Sequence, residues 1–558
     1  MEGHRQSGLE RENGIPASNL LQKGGLRNRA SSPVGEEIGP AMIEKMALLN
    51  VCEKVQRMRA DLVEEVDEKL SEMVGTVLKE MELCGVSQRH RYVLVDDGNK
   101  YKNRVKPSKH GGLPEKQFMA RNSLLTDLCE IKHIRTMYNI FIVILIILFI
   151  NTAVYDLVVV GRLNLGVDLI LWNFQGFTTV LFLWLGMSVT TILLFCCFNL
   201  WATQRIRWVP NSLTRKFWDY GWLISLVLYQ TMFLYVPAVK IMELYIPPAS
   251  SMALLMEQVR LMMKTYAFVR SNVPRALAYK PHQSGDSQEV TPCPGFSKFL
   301  YFLFAPTLIY KDNYPRTKEI CWKFVVWCFL EVIGTVFYIA FIFERFLIPM
   351  YHDFGLQNRQ NTSISELLVV GIFGSIMPAT LAFMCAFYCL LHSWMNAFAE
   401  LLRFADRMFY KDWWTASSHA AYYRLWNIVV HDWLYTYIYK DFSEIVLPGK
   451  RLVPTLVVFF VSAVFHEYIL ALTLRFFYPM LLVAFLGVGV CLLLLTKDIM
   501  PCGNILILLT VSAGTGVLSC LYGFEWYARV NCPPVLDPVF DFFLPRSWTC
   551  ATVYARQH

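Results

Sequence analysis

Residues 452–474 read LVPTLVVFFVSAVFHEYILALTL, a run in which His466 and Glu467 are the only histidine or charged side chains. A helix rises about 1.5 Å per residue, so such a run crosses the roughly 30 Å hydrocarbon layer of a bilayer. An ionisable group placed there is costly and faces a cavity or a polar partner. Ser462 stands four residues before His466 and shares its helical face. The pair can be a nucleophile and its base. Equally, the serine can bond only backbone or substrate while the histidine acts directly as general base. A structural reading, a histidine satisfied by a neighbouring helix, also stands at this level.

The rest of the chain suits the same solvent. Of its 558 residues, 55% are hydrophobic and 15% aromatic, more apolar surface than a water-soluble domain of this size buries. Nine spans are predicted, near 137–157, 168–196, 217–240, 251–269, 320–343, 365–392, 452–475, 477–496 and 503–523, which makes the fold an all-α polytopic membrane protein. The fourth span is the weakest, because Glu257, Arg260 and Lys264 interrupt it. His392, at the predicted end of the sixth, is expected to be interfacial. With a cytosolic N-terminus, the segments carrying Arg205, Arg207, Arg215 and Lys216, then Arg270, Arg275 and Lys280, then Arg403, Arg407 and Lys411 all fall on the cytosolic side. The glycosylation acceptor Asn361-Thr362-Ser363 and the tail with Cys532 and Cys550 fall on the other side. An oxidising lumen there predicts a Cys532–Cys550 disulfide and a lumenal C-terminus.

The net charge of +8 is spread between apolar runs, which argues against nucleic-acid binding. The fifteen cysteines show no metal-ligand spacing, so no metal site is expected. Residues 1–40 are polar and rich in Gly and Ser, and read as a disordered cytosolic tail with no cleavable signal. Within 41–85, Val55, Met58, Leu62, Val66, Leu70, Met73, Val77 and Met81 recur at helical spacing. This amphipathic helix either packs on its own protein or serves oligomerisation. Residues 86–119 read as a linker, 120–530 as the membrane-embedded domain and 531–558 as the C-terminal tail.

Between Asp406 and Asp441 the sequence is dense in rings, charges and amides: Phe409-Tyr410-Lys411-Asp412-Trp413-Trp414-Thr415, then Tyr422-Tyr423-Arg424-Leu425-Trp426-Asn427, then His431-Asp432-Trp433-Leu434-Tyr435. An interfacial aromatic belt explains the rings. It does not require Asp412, Arg424, Asn427 and His431 among them. A cytosolic ligand with phosphates and a flat base, such as coenzyme A, accounts for both.

Phe409 to Thr415 resembles the FYxDWWN signature of the sterol O-acyltransferase and diacylglycerol acyltransferase branch of the membrane-bound O-acyltransferases. His466-Glu467-Tyr468 resembles the intramembrane histidine motif of that superfamily. The runs 302–310, 396–408, 430–435 and 545–550 are similar to sterol O-acyltransferases in particular, so the resemblance covers about residue 120 to the C-terminus. It implies the membrane-bound O-acyltransferase fold, an endoplasmic-reticulum membrane location, a homo-oligomer joined through the N-terminal helix, and acyl transfer from acyl-CoA to the 3-hydroxyl of a sterol. No cofactor beyond that co-substrate is implied. His466 is then the catalytic base and Asn427 its partner. Arg424, His431, Tyr439, Arg451 and Ser462 line the acyl-CoA tunnel, and His133 contacts sterol. Phe409, Tyr410, Asp412, Trp413, Trp414 and Trp426 belong to the motif region. Two positions depart from the family pattern, since Thr415 and Ala421 stand where asparagines are usual.

Because a thioester is already activated, direct attack of the sterol hydroxyl, deprotonated by His466, is the simpler scheme. A Ser462–His466–Asp406 triad is the competing one. Acylation of diacylglycerol or another lipid alcohol is the nearest alternative function, and a sterol transporter or receptor is the alternative of a different class.

Overall fold

Seven helices among the described residues are long and apolar enough to cross a membrane: Lys132–Val159, Phe177–Arg207, Leu213–Glu243, Trp322–Tyr351, Leu368–Leu401, Leu452–Leu474 and Gly503–Asn531. The computed structural model describes residues 58, 114–161, 166–279, 292–356, 364–496, 503–534 and 537–550. The chain divides into Met1–Arg91 and Tyr92–His558. Of the first unit only Met58 is described, so the tail 1–40 and nearly all of the amphipathic helix lie outside the described residues. Most of the linker, the acceptor sequence 361–363 and residues 551–558 do so too.

The count of seven differs from nine at two places, both of them helical. The helix Pro248–Ala278 has 31 residues, but its charges lower its hydropathy. The stretch Met480–Leu495 is apolar and short, with a π-helical turn at Ala484–Gly489. Among the described residues the only β-type pairings are isolated bridges, Arg121 with Asp406 and Arg316 with Phe404.

Bonding explains why Pro248–Ala278 carries charge. Arg260 donates to Glu257 at 2.7 and 2.8 Å and to the Leu303 carbonyl at 2.8 Å, and Trp184 Nε1 donates to Glu257 at 3.0 Å. Lys264, fully buried, donates to the carbonyls of Phe302 and Ala305 and sits 4.7 Å from the Phe302 ring centre. Those carbonyls close the short helix Phe296–Phe304, whose last turn has no intrahelical donors. The lysine acts as a C-terminal cap from a buried position.

Small residues set the closest helix contacts. A β-carbon at Gly516 would lie 2.9 Å from the Ile376 Cα, so only glycine lets the helices Gly503–Asn531 and Ile364–Phe387 meet there. The outer surface stays apolar. The helix Lys132–Tyr155 has no buried residue and presents Phe141, Ile147 and Val154 outward, as a lipid-facing helix does. Near the C-terminus Cys532 is bonded to Cys550, with Cα atoms 5.9 Å apart. Beside them the buried Glu525 accepts the backbone N–H groups of Arg546 and Ser547, each at 2.9 Å.

Candidate active site

His466 lies in the second half of the helix Leu452–Leu474. Its Nδ1 is 2.7 Å from the backbone carbonyl of Ser462. A carbonyl only accepts, so Nδ1 carries the proton and Nε2 carries the lone pair. One ring face stacks on Phe485, with centroids 4.9 Å apart, and the side chain is otherwise exposed. Phe459, seven residues earlier and so on the same face, meets the Tyr423 ring edge-on at 5.0 Å. The histidine helix thus touches Tyr423 of the helix His419–Trp426, which ends at Asn427. Tyr423 fits because of a glycine: a β-carbon at Gly489 would lie 2.9 Å from its hydroxyl.

Asn427 joins the helix His419–Trp426 to Ile428–Leu434 in an extended conformation and caps the second helix, its Oδ1 accepting from the Val430 N–H at 3.1 Å. That bond settles the amide orientation and leaves the Nδ2 hydrogens as free donors among the described residues. The motif before it supplies rigidity. Lys411 N–H donates to the Leu425 carbonyl and Ile428 N–H donates to the Phe409 carbonyl, each at 2.9 Å, which clamps the chain on both sides of Asn427. Phe409, Tyr410 and Trp413 are buried. Trp426 lies parallel to Phe383 and edge-on to Trp413, both at 4.7 Å. Trp414 packs partly buried against this core. Asp412 and Thr415 are exposed, and the Thr415 hydroxyl donates to the Asp412 carbonyl at 2.7 Å. Thr415 thus closes a surface turn, while Ala421 contributes apolar packing.

His431, Tyr435 and Tyr439 form a ladder of near-parallel rings with centroids 6.3 and 5.7 Å apart, one helical turn per step. Beside it, Asp432 accepts from Lys116 at 2.6 Å. Burial raises the Asp432 pKa, but the bonds to His431 and Lys116 outweigh it and hold the carboxyl below its usual range. Arg424 and Arg451 are exposed, and Arg451 stands at the N-cap of the histidine helix. His133 is exposed in the first turn of Lys132–Tyr155 and shares no hydrogen bond with the other candidates among the described residues.

One expectation needs correction, and one alternative scheme is set aside. The competing triad is not formed: Asp406 accepts from Arg121 at 2.6 and 3.3 Å and shares no hydrogen bond with the histidine among the described residues, while Ser462 Oγ is 3.4 Å from an Nδ1 already committed to the carbonyl. His392 is buried instead of interfacial, 2.7 Å from the Tyr410 hydroxyl and 3.3 Å from those of Ser123 and the Asn396 amide. Glu467, next to His466 in the chain, is bonded to other helices. It is buried and accepts from the Leu482 N–H at 3.1 Å and from Tyr522 at 3.3 Å. His392 escaped the sequence reading because Tyr410 and Ser123 are distant in the chain.

A many-helix membrane body that leaves an imidazole lone pair on an exposed helix face and free amide hydrogens at a helix junction holds a base and a donor of the kind that group transfer uses. The membrane-bound O-acyltransferase family profile matches residues 169–524, and the chain belongs to that family. Within it the chain is similar to sterol O-acyltransferases. It is 41% identical to sterol O-acyltransferase 1 of Mus musculus over 447 residues, covering 79% of this chain and 80% of that protein. With sterol O-acyltransferase 1 of Chlorocebus aethiops the identity is 40% over 465 residues, 82% of each. With sterol O-acyltransferase 2 of Homo sapiens it is 38% over 441 residues, 78% of this chain and 81% of that protein.

Proposed function

We propose that this protein transfers a long-chain acyl group from acyl-CoA to the 3-hydroxyl of a sterol. The observation that carries the chemistry is the hydrogen bond from His466 Nδ1 to the Ser462 carbonyl, which leaves Nε2 as a base on the open face of the helix. Nε2 takes the sterol proton while the sterol oxygen attacks the thioester carbonyl. The Asn427 amide donates to the developing oxyanion. The C–S bond then breaks, the C–O ester bond remains, and the proton passes from the imidazolium to the leaving coenzyme A thiolate. The sterol acceptor is supported by the names of the relatives.

In this reading Arg424, His431, Tyr439, Arg451 and Ser462 line the acyl-CoA path, with the ring ladder offering a flat stacking surface, and His133 meets the sterol from the bilayer. The reaction needs no resident cofactor. The chain crosses the endoplasmic-reticulum membrane nine times, with the N-terminus cytosolic and the C-terminus lumenal, and forms a homo-oligomer through its N-terminal helix. The test uses purified protein in vesicles with sterol and radiolabelled long-chain acyl-CoA. Steryl ester should form, and His466→Ala should lower its rate by about 10²–10⁴-fold. Ester only on added diacylglycerol would reassign the acceptor, and no ester on either would refute the enzyme.

A further inference from the structure

Pro237 sits inside the helix Leu213–Glu243. It has no N–H to give, so the carbonyl of Phe233, four residues earlier, lacks its intrahelical donor. Hydrocarbon offers no water in exchange. Gln258, fully buried on the helix Pro248–Ala278, fills the gap: its Nε2 donates to the Phe233 carbonyl at 2.7 Å and to the Leu234 carbonyl at 3.0 Å. With both amide hydrogens used, Oε1 is left to accept. The Tyr468 hydroxyl lies 2.9 Å from it and 3.0 Å from the Leu234 carbonyl. A proline in one helix, an amide on a second and a phenol on a third thus close one polar knot, and the phenol is two residues beyond His466.

The residue between them is tied elsewhere. Glu467 is bonded to Leu482 and Tyr522. Successive helical residues point about 100° apart, so these two anchors pull on different sides of the histidine helix. Apolar packing is non-directional, whereas these bonds fix the rotation of the helix about its axis. The far nitrogen of a histidine stands roughly 6–7 Å from that axis, so a turn of about 10° moves it about 1 Å. A displacement of that size costs on the order of 10²-fold in rate.

We infer that Gln258 and Tyr468 are positioning residues for His466, a role that rests on His466 being the base. The experiment compares full-length Tyr468→Phe, Gln258→Met and the double variant with wild type and His466→Ala in sterol vesicles. It measures kcat, the KM for acyl-CoA and the thermal midpoint of each. The expected result is a kcat lower by about 10–100-fold in each single variant with KM within about threefold, midpoints that do not follow kcat, and a double variant no slower than the slower single. Full kcat in both single variants while His466→Ala is inactive would overturn the positioning role and leave the base intact. Losses that scale with the unfolded fraction, or that multiply in the double variant, would overturn it as well. An active His466→Ala would remove both readings.

Discussion

Replacing Asn427 with aspartate keeps one of its two jobs and removes the other. In the native protein Oδ1 caps the helix Ile428–Leu434 through the Val430 N–H at 3.1 Å, and Nδ2 remains as a donor. A carboxylate caps as well as an amide, so the helix end should be as stable as before. The donor is gone, however, and a negative oxygen stands where the proposed reaction forms its oxyanion. Losing one such donor costs about 10²–10³-fold in kcat, or about 2.7–4 kcal/mol, and the added charge pushes toward the upper figure. Asn427→Ala is the contrasting control, because it loses the donor and also about 1 kcal/mol of capping energy. Steryl ester formation under saturating acyl-CoA gives kcat, and thermal unfolding in detergent gives stability. The reasoning predicts that Asn427→Asp melts with wild type while Asn427→Ala melts lower, with both nearly inactive. An Asn427→Asp protein that keeps a third of the wild-type rate would refute the donor role, and one that melts below Asn427→Ala would refute the capping geometry.

Ser462→Ala should keep kcat within about fivefold, since the backbone carbonyl, not the hydroxyl, holds Nδ1; mass spectrometry of quenched turnover should find no acyl-serine. Arg121→Ala should lower the thermal midpoint by several degrees. It strands the buried Asp406 carboxylate at a cost of about 3 kcal/mol, the low end for such pairs because Arg121 is partly exposed; the further change Asp406→Asn should restore most of the loss. Cys293, outside the spans, has its thiol pushed up to about 11 by burial. Only the thiolate alkylates, so iodoacetamide at pH 7.5 should leave it unmodified in the folded protein, with labelling rising as pH approaches 11. Peptide mapping measures this, and rapid labelling at pH 7.5 would count against the buried setting.

Much of the site could be read from residue order because its determinants are local. Ser462 and His466 are one helical turn apart, and their shared face follows from the helix period alone. The ladder His431–Tyr435–Tyr439 has the same origin. His392 was misplaced, and the partners of Asp406 and Glu467 were not legible, for one common reason: each is buried, and each has partners that no period connects to it. Asp406 meets Arg121 across 285 positions, and His392 meets Ser123 across 269. A buried polar group must find a partner, but burial says nothing of which one.

The sequence by itself determined that the chain lives in a bilayer, that its body is helical, and that His466 and Asn427 were the groups to examine, because hydropathy, helical period and motif chemistry are properties of neighbouring residues. Tertiary structure decided how those groups are presented. It clamped the chain on both sides of Asn427, bonded Asp406 to Arg121, and tied Tyr468 and Glu467 to different helices. Each of those outcomes depends on a hydrogen bond whose partner is chosen by the packing of the chain, and hydrogen bonds, unlike hydrophobic burial, act only at a fixed distance and angle.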